Sequence, residues 1–216
     1  MDKKELKKLI KTEFGGFLKE LGFSKKSEGV YIKINNNIIQ NITFELGSIG
    51  FTCSIAMQPL YIKDHTIVLG LSFGNRLSRF KVIKREWWPY EESAKGIAEI
   101  KELLIKNGLP WFEKYGTSKG IAEFISNGKI QDYGLWFDEF HQKQYLGFSL
   151  LYSGYISEGI KSLNNMLNEI SENAVEYMKE YKMHIVKLLD RIKENPDDVI
   201  NIFDDIIREN RLSLKI

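Results

Sequence analysis

Fifteen consecutive residues, Arg76–Tyr90, hold the side chains of this chain best suited to recognition. They include the cations Arg76, Arg79, Lys81, Lys84 and Arg85 together with Phe80, Trp87, Trp88 and Tyr90. Cations interleaved with aromatics support two chemistries. They hold nucleic-acid phosphates while rings stack on bases, or they form the Trp, Tyr and Arg anchors of a protein interface. Neighbouring side chains of an extended chain point in opposite directions, and Pro89 biases Trp88 toward an extended backbone. One of the two tryptophans is therefore expected to pack between a sheet and the helix that follows. The other should stay partly open, flanked by Arg85 and Tyr90.

The remaining reactive residues do not converge. His65, His141 and His184 lie outside metal-ligand spacing of one another and of Cys53. Cys53 alternates with Phe51 and Ile55 and reads as a buried thiol, whereas a nucleophile needs a positive, partly open setting. Asp197-Asp198 is accounted for by helix capping, and Asp204-Asp205 by a solvated helix face. Neither a phosphate-binding glycine loop nor a nucleophile elbow is present. No catalytic residue, metal or cofactor is implied, so a non-enzymatic reading leads.

Around these residues the hydrophobic pattern changes period. Leu6, Leu9, Ile10, Phe14, Phe17, Leu18 and Leu21 predict an amphipathic helix over 3–21, with Gly22 as its stop. Gly15-Gly16 inside it disfavours helix and points to close approach to a sheet. From Val30 the period is two. The runs Val30–Ile34, Ile38–Leu46, Phe51–Met57 and Ile67–Phe73 predict an antiparallel meander. The first turn is Asn35-Asn36-Asn37 and the last run ends at Gly74-Asn75. Phe44, Phe51, Ile55, Leu69 and Leu71 are expected beneath Leu9, Phe14 and Phe17. Lys33, Asn41, Thr43, Glu45, Thr52, Ser54, Gln58 and Ser72 are expected on the other face, as a solvated surface or a shallow binding floor. After Tyr90 the period is helical. A helix at Ile97–Leu104 should stop at Gly108 and Pro110. Leu135–Tyr152 and Glu158–Ile170 read as an antiparallel pair, and Asn195-Pro196-Asp197-Asp198 reads as the capped start of a last helix.

Composition excludes little. Apolar residues are 43% and charged residues 28% of the chain, as in ordinary globular domains. No run is long and apolar enough to span a bilayer, and no signal core follows Met1-Asp2-Lys3. With one cysteine, the expected location is the cytoplasm. The net charge of +2 conceals an asymmetry. Residues 1–90 carry 15 Lys and Arg against 8 Asp and Glu, while residues 91–216 carry 16 against 21.

The order of several landmarks resembles a bacterial family catalogued as domain of unknown function 4304. They are Leu21-Gly22-Phe23-Ser24-Lys25-Lys26, Gly29-Val30-Tyr31-Ile32, Asn37-Ile38-Ile39-Gln40-Asn41-Ile42, Trp87-Trp88 and Ile105-Lys106-Asn107-Gly108-Leu109-Pro110-Trp111-Phe112. The resemblance spans about residues 3–116. Glu45-Leu46-Gly47-Ser48 departs from it, standing where a polar strand ending is expected. It implies a fold and brings no activity.

The expected architecture is α+β: an N-terminal helix on a four- to five-stranded antiparallel sheet, then a helical C-terminal part, divided as 1–112 and 113–216. The expected function is protein–protein binding, of the toxin-neutralising immunity type, through Arg76, Arg79, Lys84, Arg85, Trp87, Trp88 and Tyr90. Nucleic-acid association through the same segment is the alternative, and no membrane partner is expected.

Overall fold

The computed structural model describes residues 3–63, 73–80, 85–135 and 137–216. The expectations placed on His65, Leu69, Leu71, Ser72, Lys81 and Lys84 lie outside the described residues.

The chain is α+β, with an N-terminal helix, a five-stranded antiparallel sheet and a helical C-terminal part. It forms two compact units that interleave in sequence. One comprises Met1–Gln58, Gly70–Gly116 and Ile130–Trp136. The other comprises Pro59–Leu69, Thr117–Lys129 and Phe137–Ile216.

In the first unit the N-terminal helix runs as α1 (Lys3–Leu9), a π turn (Ile10–Phe14) and α2 (Gly15–Glu20). Leu6, Ile10, Phe14 and Leu18 form its buried stripe. A spacing of four overshoots a 3.6-residue turn by about 40° per step, so three steps would swing the stripe off the sheet. The π turn absorbs one residue, about 100°, and restores the alignment. The helix ends as expected at Gly22, whose φ is +83°. Phe23 N–H donates to Leu18 O at 2.9 Å and Gly22 N–H to Lys19 O at 3.0 Å, the two bonds of a Schellman cap.

The sheet order is β1 (Ser24–Ser27), β2 (Val30–Asn35), β3 (Ile38–Leu46), β4 (Phe51–Pro59), β5 (Phe73–Arg76). Phe14 meets Phe44 edge-on, with centroids 4.9 Å apart, so the helix covers Phe44 as expected, whereas Phe51 and Ile55 are corrected: they lie against Gly96 and Gly108 of the helix that follows the sheet. The facing of β2 is corrected. Asn36 and Asn37 both take positive φ, making a two-residue hairpin turn that pairs Asn35 with Ile38 and Tyr31 with Ile42. Tyr31 and Lys33 therefore share the helix-covered face, and Val30, Ile32 and Ile34 share the other.

The polar face is corrected too. Asn41, Thr52, Ser54 and Gln58 are buried and make neither a solvated surface nor an open floor. Thr43 donates to Asn41 and Ser54 to Glu45, each at 2.9 Å. Gly74-Asn75 does not end the last strand. Gly74 pairs with Ala56 inside it, and a Cβ there would fall 2.1 Å from Ile55 O.

The helix after the sheet is α3 (Ser93–Leu103), continued by a second π turn (Leu104–Gly108) and α4 (Leu109–Tyr115). Gly108 and Pro110 do not stop it. The turn bonds Leu109 N–H to Leu104 O, and Pro110 enters at the first turn of α4, where its missing N–H is tolerated.

The second unit is helical: α5 (Ser118–Ser126), α7 (Glu139–Tyr152), α8 (Ile156–Asn168), α9 (Glu176–Glu194) and α10 (Val199–Leu214), with a short α6 (Lys129–Asp132) at the crossing between units. α7 and α8 form the expected hairpin. A Cβ at Gly147 would come within 2.6 Å of Leu163, so glycine permits the close crossing. Tyr61 stacks on Tyr152 at 4.4 Å, and Asn210 donates to the carbonyls of Leu60 and Ile62 at 2.8 and 2.9 Å. Asn195 makes no side-chain cap. Pro196–Asp198 is a 3-10 turn, and Asp198 accepts from Asn201 and Arg191 instead.

Candidate functional site

Trp88 joins the recognition segment to the sheet. Its backbone exchanges two hydrogen bonds with Phe51, at 2.8 and 2.9 Å, forming an isolated antiparallel bridge beside β4. That bridge sets the alternation. The Trp88 ring is 1% exposed, lies against Phe51 with centroids 6.2 Å apart, and donates Nε1–H to Glu99 of α3 at 2.7 Å. A buried indole N–H requires such a partner. Trp87 faces the opposite way and is half-buried. Its ring lies over Gly47, and the Arg76 guanidinium sits 4.9 Å from its centroid. One tryptophan is structural and the other partly open, as the alternation predicts.

The cations in this segment are paired. Arg76, at the end of β5, donates to Glu86 at 2.5 Å, and Arg79, on the 3-10 turn Leu77–Phe80, pairs with the other oxygen of the same carboxylate. Arg85 makes a two-pronged contact with Glu92, at 2.7 and 3.2 Å. The electrostatics follow. Partial burial pushes the Glu86 carboxyl up, but Arg79 and Arg76 outweigh it and hold the group below its ordinary value. The hydrogen bond from Arg85 does the same for Glu92, and Glu92 in turn raises Arg85. Tyr90 donates its hydroxyl to Gly47 O at 2.7 Å and takes Lys3 over its ring at 5.7 Å.

The structure thus brings Arg76, Arg79, Arg85, Trp87, Trp88 and Tyr90 together, while Lys84 lies outside the described residues. Sequence reasoning missed Glu86, Glu92 and Glu99, which decide what the cations and Trp88 do. Glu86 stood inside the segment and was a legible signal. It also missed Ile49, 72% exposed on the Gly47–Gly50 turn beneath Trp87.

The other titratable candidates stay apart. The Cys53 thiol is buried and burial pushes its pKa upward, as does Glu45. His141 pairs with Asp138, the N-cap of α7. His184 lines a cleft of about 350 Å³ between α9 and α10 with Lys63 and Glu209. Asp205 pairs with Arg208 at 2.8 Å. Among the described residues no three His, Cys, Asp or Glu side chains group as metal ligands, and no helix is long and apolar enough to cross a membrane. Comparison with protein-family models, with curated proteins and with solved structures finds no match to this chain.

Proposed function

We propose that the protein is a non-enzymatic binding protein that acts through protein–protein contact, of the immunity type that covers a partner's surface. The contact surface is the patch of Trp87, Ile49, Tyr90 and Arg76. The observation that carries this reading is the pairing of the arginines. Phosphate recognition needs cations with open donors, whereas Arg76, Arg79 and Arg85 are engaged by Glu86 and Glu92. What the patch offers instead is a half-open indole backed by a stacked guanidinium, beside an exposed isoleucine on a tight turn. Fixed aromatic and arginine anchors of this kind dominate protein interfaces, because their ordering entropy is already spent before binding.

The test starts by crosslinking the full chain to proteins of its source, then purifying the captured partner and titrating it directly. Trp87→Ala and Ile49→Asp should each weaken binding by about 30-fold or more without moving Tm. Unchanged affinity in both variants overturns the reading. So does tight, steeply salt-dependent binding of single-stranded RNA through Arg76, Arg79 and Arg85, which would favour nucleic acid.

A further inference from the structure

The N-terminal helix leaves an open groove beside the β1–β2 edge of the sheet. Two adjoining depressions, of about 600 and 450 Å³, share Lys11, Lys25 and Tyr31. Lys25 is paired with Tyr31 across β1 and β2, so both project to the helix side. The helix contributes Lys8 to one depression and Lys19 to the other. Between them stand Gly15 and Gly16. A Cβ at Gly15 would lie 3.2 Å from the Tyr31 hydroxyl, and a Cβ at Gly16 would meet nothing within 4 Å. The glycines let the helix approach Tyr31 and keep side chains off the groove.

Two observations mark the groove as a site. First, its lysines are available. Lys7 is tied to Glu28 at 3.0 Å, but Lys8, Lys11, Lys19 and Lys25 are exposed and have no acidic partner among the described residues. Second, Tyr31 lines both depressions; its ring is buried, while its hydroxyl makes no hydrogen bond to another described residue and is not among the sealed polar atoms, so it opens onto the groove. Burial also raises the Tyr31 pKa, so the hydroxyl keeps its proton and serves as a donor.

We propose that this groove binds an extended acidic segment of a partner protein. Carboxylates meet Lys8, Lys11, Lys19 and Lys25, and one accepts from the Tyr31 hydroxyl. Ile10, Phe44 and Leu46 floor the larger depression and receive an apolar side chain between the acids. The dimensions suit a strand. Lys8 and Lys19 are eleven residues apart on a helix, about 16 Å, which an extended segment covers in about five residues. One small anion would not reach both ends. Nucleic acid lacks its stacking platform here, because Phe23, Tyr31 and Phe44 in the lining are all buried. The proposal rests on the protein-binding reading for its class of partner. Leu46 at the groove adjoins Gly47 beneath Trp87, so groove and patch are consecutive along the chain.

The experiment uses the full chain and a fluorescent ten-residue peptide of alternating Glu and Val, read by anisotropy at 20 and 150 mM salt. Its Gln/Val counterpart, a ten-nucleotide single-stranded RNA and inorganic phosphate are the other arms. The Glu peptide should bind, weaken with salt, and outcompete the Gln peptide. Lys11→Ala and Lys25→Ala should each weaken it about 2- to 5-fold. Tyr31→Phe should weaken it about tenfold with Tm unchanged, because the hydroxyl bonds none of the described residues; a structural role would give the reverse. Trp87→Ala should leave this binding intact, so failure of the patch and failure of the groove are separate results. Equal binding of Glu and Gln peptides, or no effect of Tyr31→Phe, overturns the proposal. Tighter binding of the RNA assigns the groove to nucleic acid, and displacement by millimolar phosphate assigns it to a small anion; either result overturns it as well.

Discussion

The Arg76–Tyr90 segment and the N-terminal groove are both cationic, and they differ in what the cations face. The segment concentrates its charge in a few residues, yet Glu86 and Glu92 engage Arg76, Arg79 and Arg85 at contact distance. The groove draws Lys8, Lys11 and Lys19 from the helix and Lys25 from β1, and none of the four has an acidic partner among the described residues. Density of charge in sequence is thus a poor guide to charge that a ligand can use. Pairing decides, and pairing is a tertiary property. The difference also sets rigidity. Arg85 in two-pronged contact with Glu92, and Arg76 and Arg79 sharing the Glu86 carboxylate, are held in place, while exposed lysines keep rotamer freedom and give it up only on binding.

The largest effect should come from separating the two tryptophans. Trp88→Ala removes a fully buried ring from between Phe51 and α3 and the hydrogen bond it gives Glu99, which predicts a loss of about 3–5 kcal/mol in chemical denaturation. Trp87→Ala should fall well short of that. Equal losses would mean that the patch is a core element throughout, and its contrast with the groove would disappear.

Gly96→Ala probes the same wedge from the helix side. The added Cβ would come within 2.8 Å of the Phe51 ring and 2.9 Å of Trp88, an overpacking expected to cost about 1–3 kcal/mol. A variant as stable as the parent would show that Trp88 is loosely seated.

Legibility followed how local each determinant is. The helix over 3–21, the Gly22 stop and the Asn36-Asn37 turn depend on neighbours in sequence, and the residues announced them. The facing of β2 was lost to a single feature: a two-residue turn puts Ile34 and Ile38 on opposite faces, whereas apolar alternation alone groups all the isoleucines. β1 was missed because Ser24-Lys25-Lys26-Ser27 carries no apolar period. It is an edge strand, and lysines there also discourage pairing with another chain. The first π turn left a trace in the spacing of four from Leu6 to Leu18, which a plain amphipathic reading passes over. The groove was illegible because its lysines look like solvated positions of a helix and an edge strand, and only Tyr31, whose hydroxyl opens between them, distinguishes them.

The glycine pair offers a finer test of the groove. Gly16→Ala meets open space and removes a helix-breaking residue, so it should stabilise by about 0.5–1 kcal/mol. Gly15→Ala gains the same propensity but presses on the Tyr31 hydroxyl, so its gain should be smaller or reversed. Equal gains in thermal melts would place Tyr31 away from the helix and remove the floor of the groove.

The smallest effect on stability is the most direct test of the pairing argument. Glu86 and Glu92 both titrate below the ordinary glutamate range, so each favours the folded state when ionised. That contribution is complete above the unfolded glutamate pKa, near 4.3, and is lost as pH falls through the lowered folded values. Melting temperature should therefore drop on acidification across that window. The double variant Glu86→Gln, Glu92→Gln should melt slightly lower at neutral pH and show a shallower drop, because the groups responsible are gone. Exposed pairs contribute little to stability and are screened by salt, so the shift will be modest. The consequence for recognition is larger. With both carboxylates neutralised, Arg76 and Arg85 lose the charges that compensate them, and the patch should acquire salt-dependent affinity for single-stranded RNA beyond the parent's. If the parent binds RNA equally well, the pairing does not withhold these cations, and the distinction between patch and groove is wrong at its root.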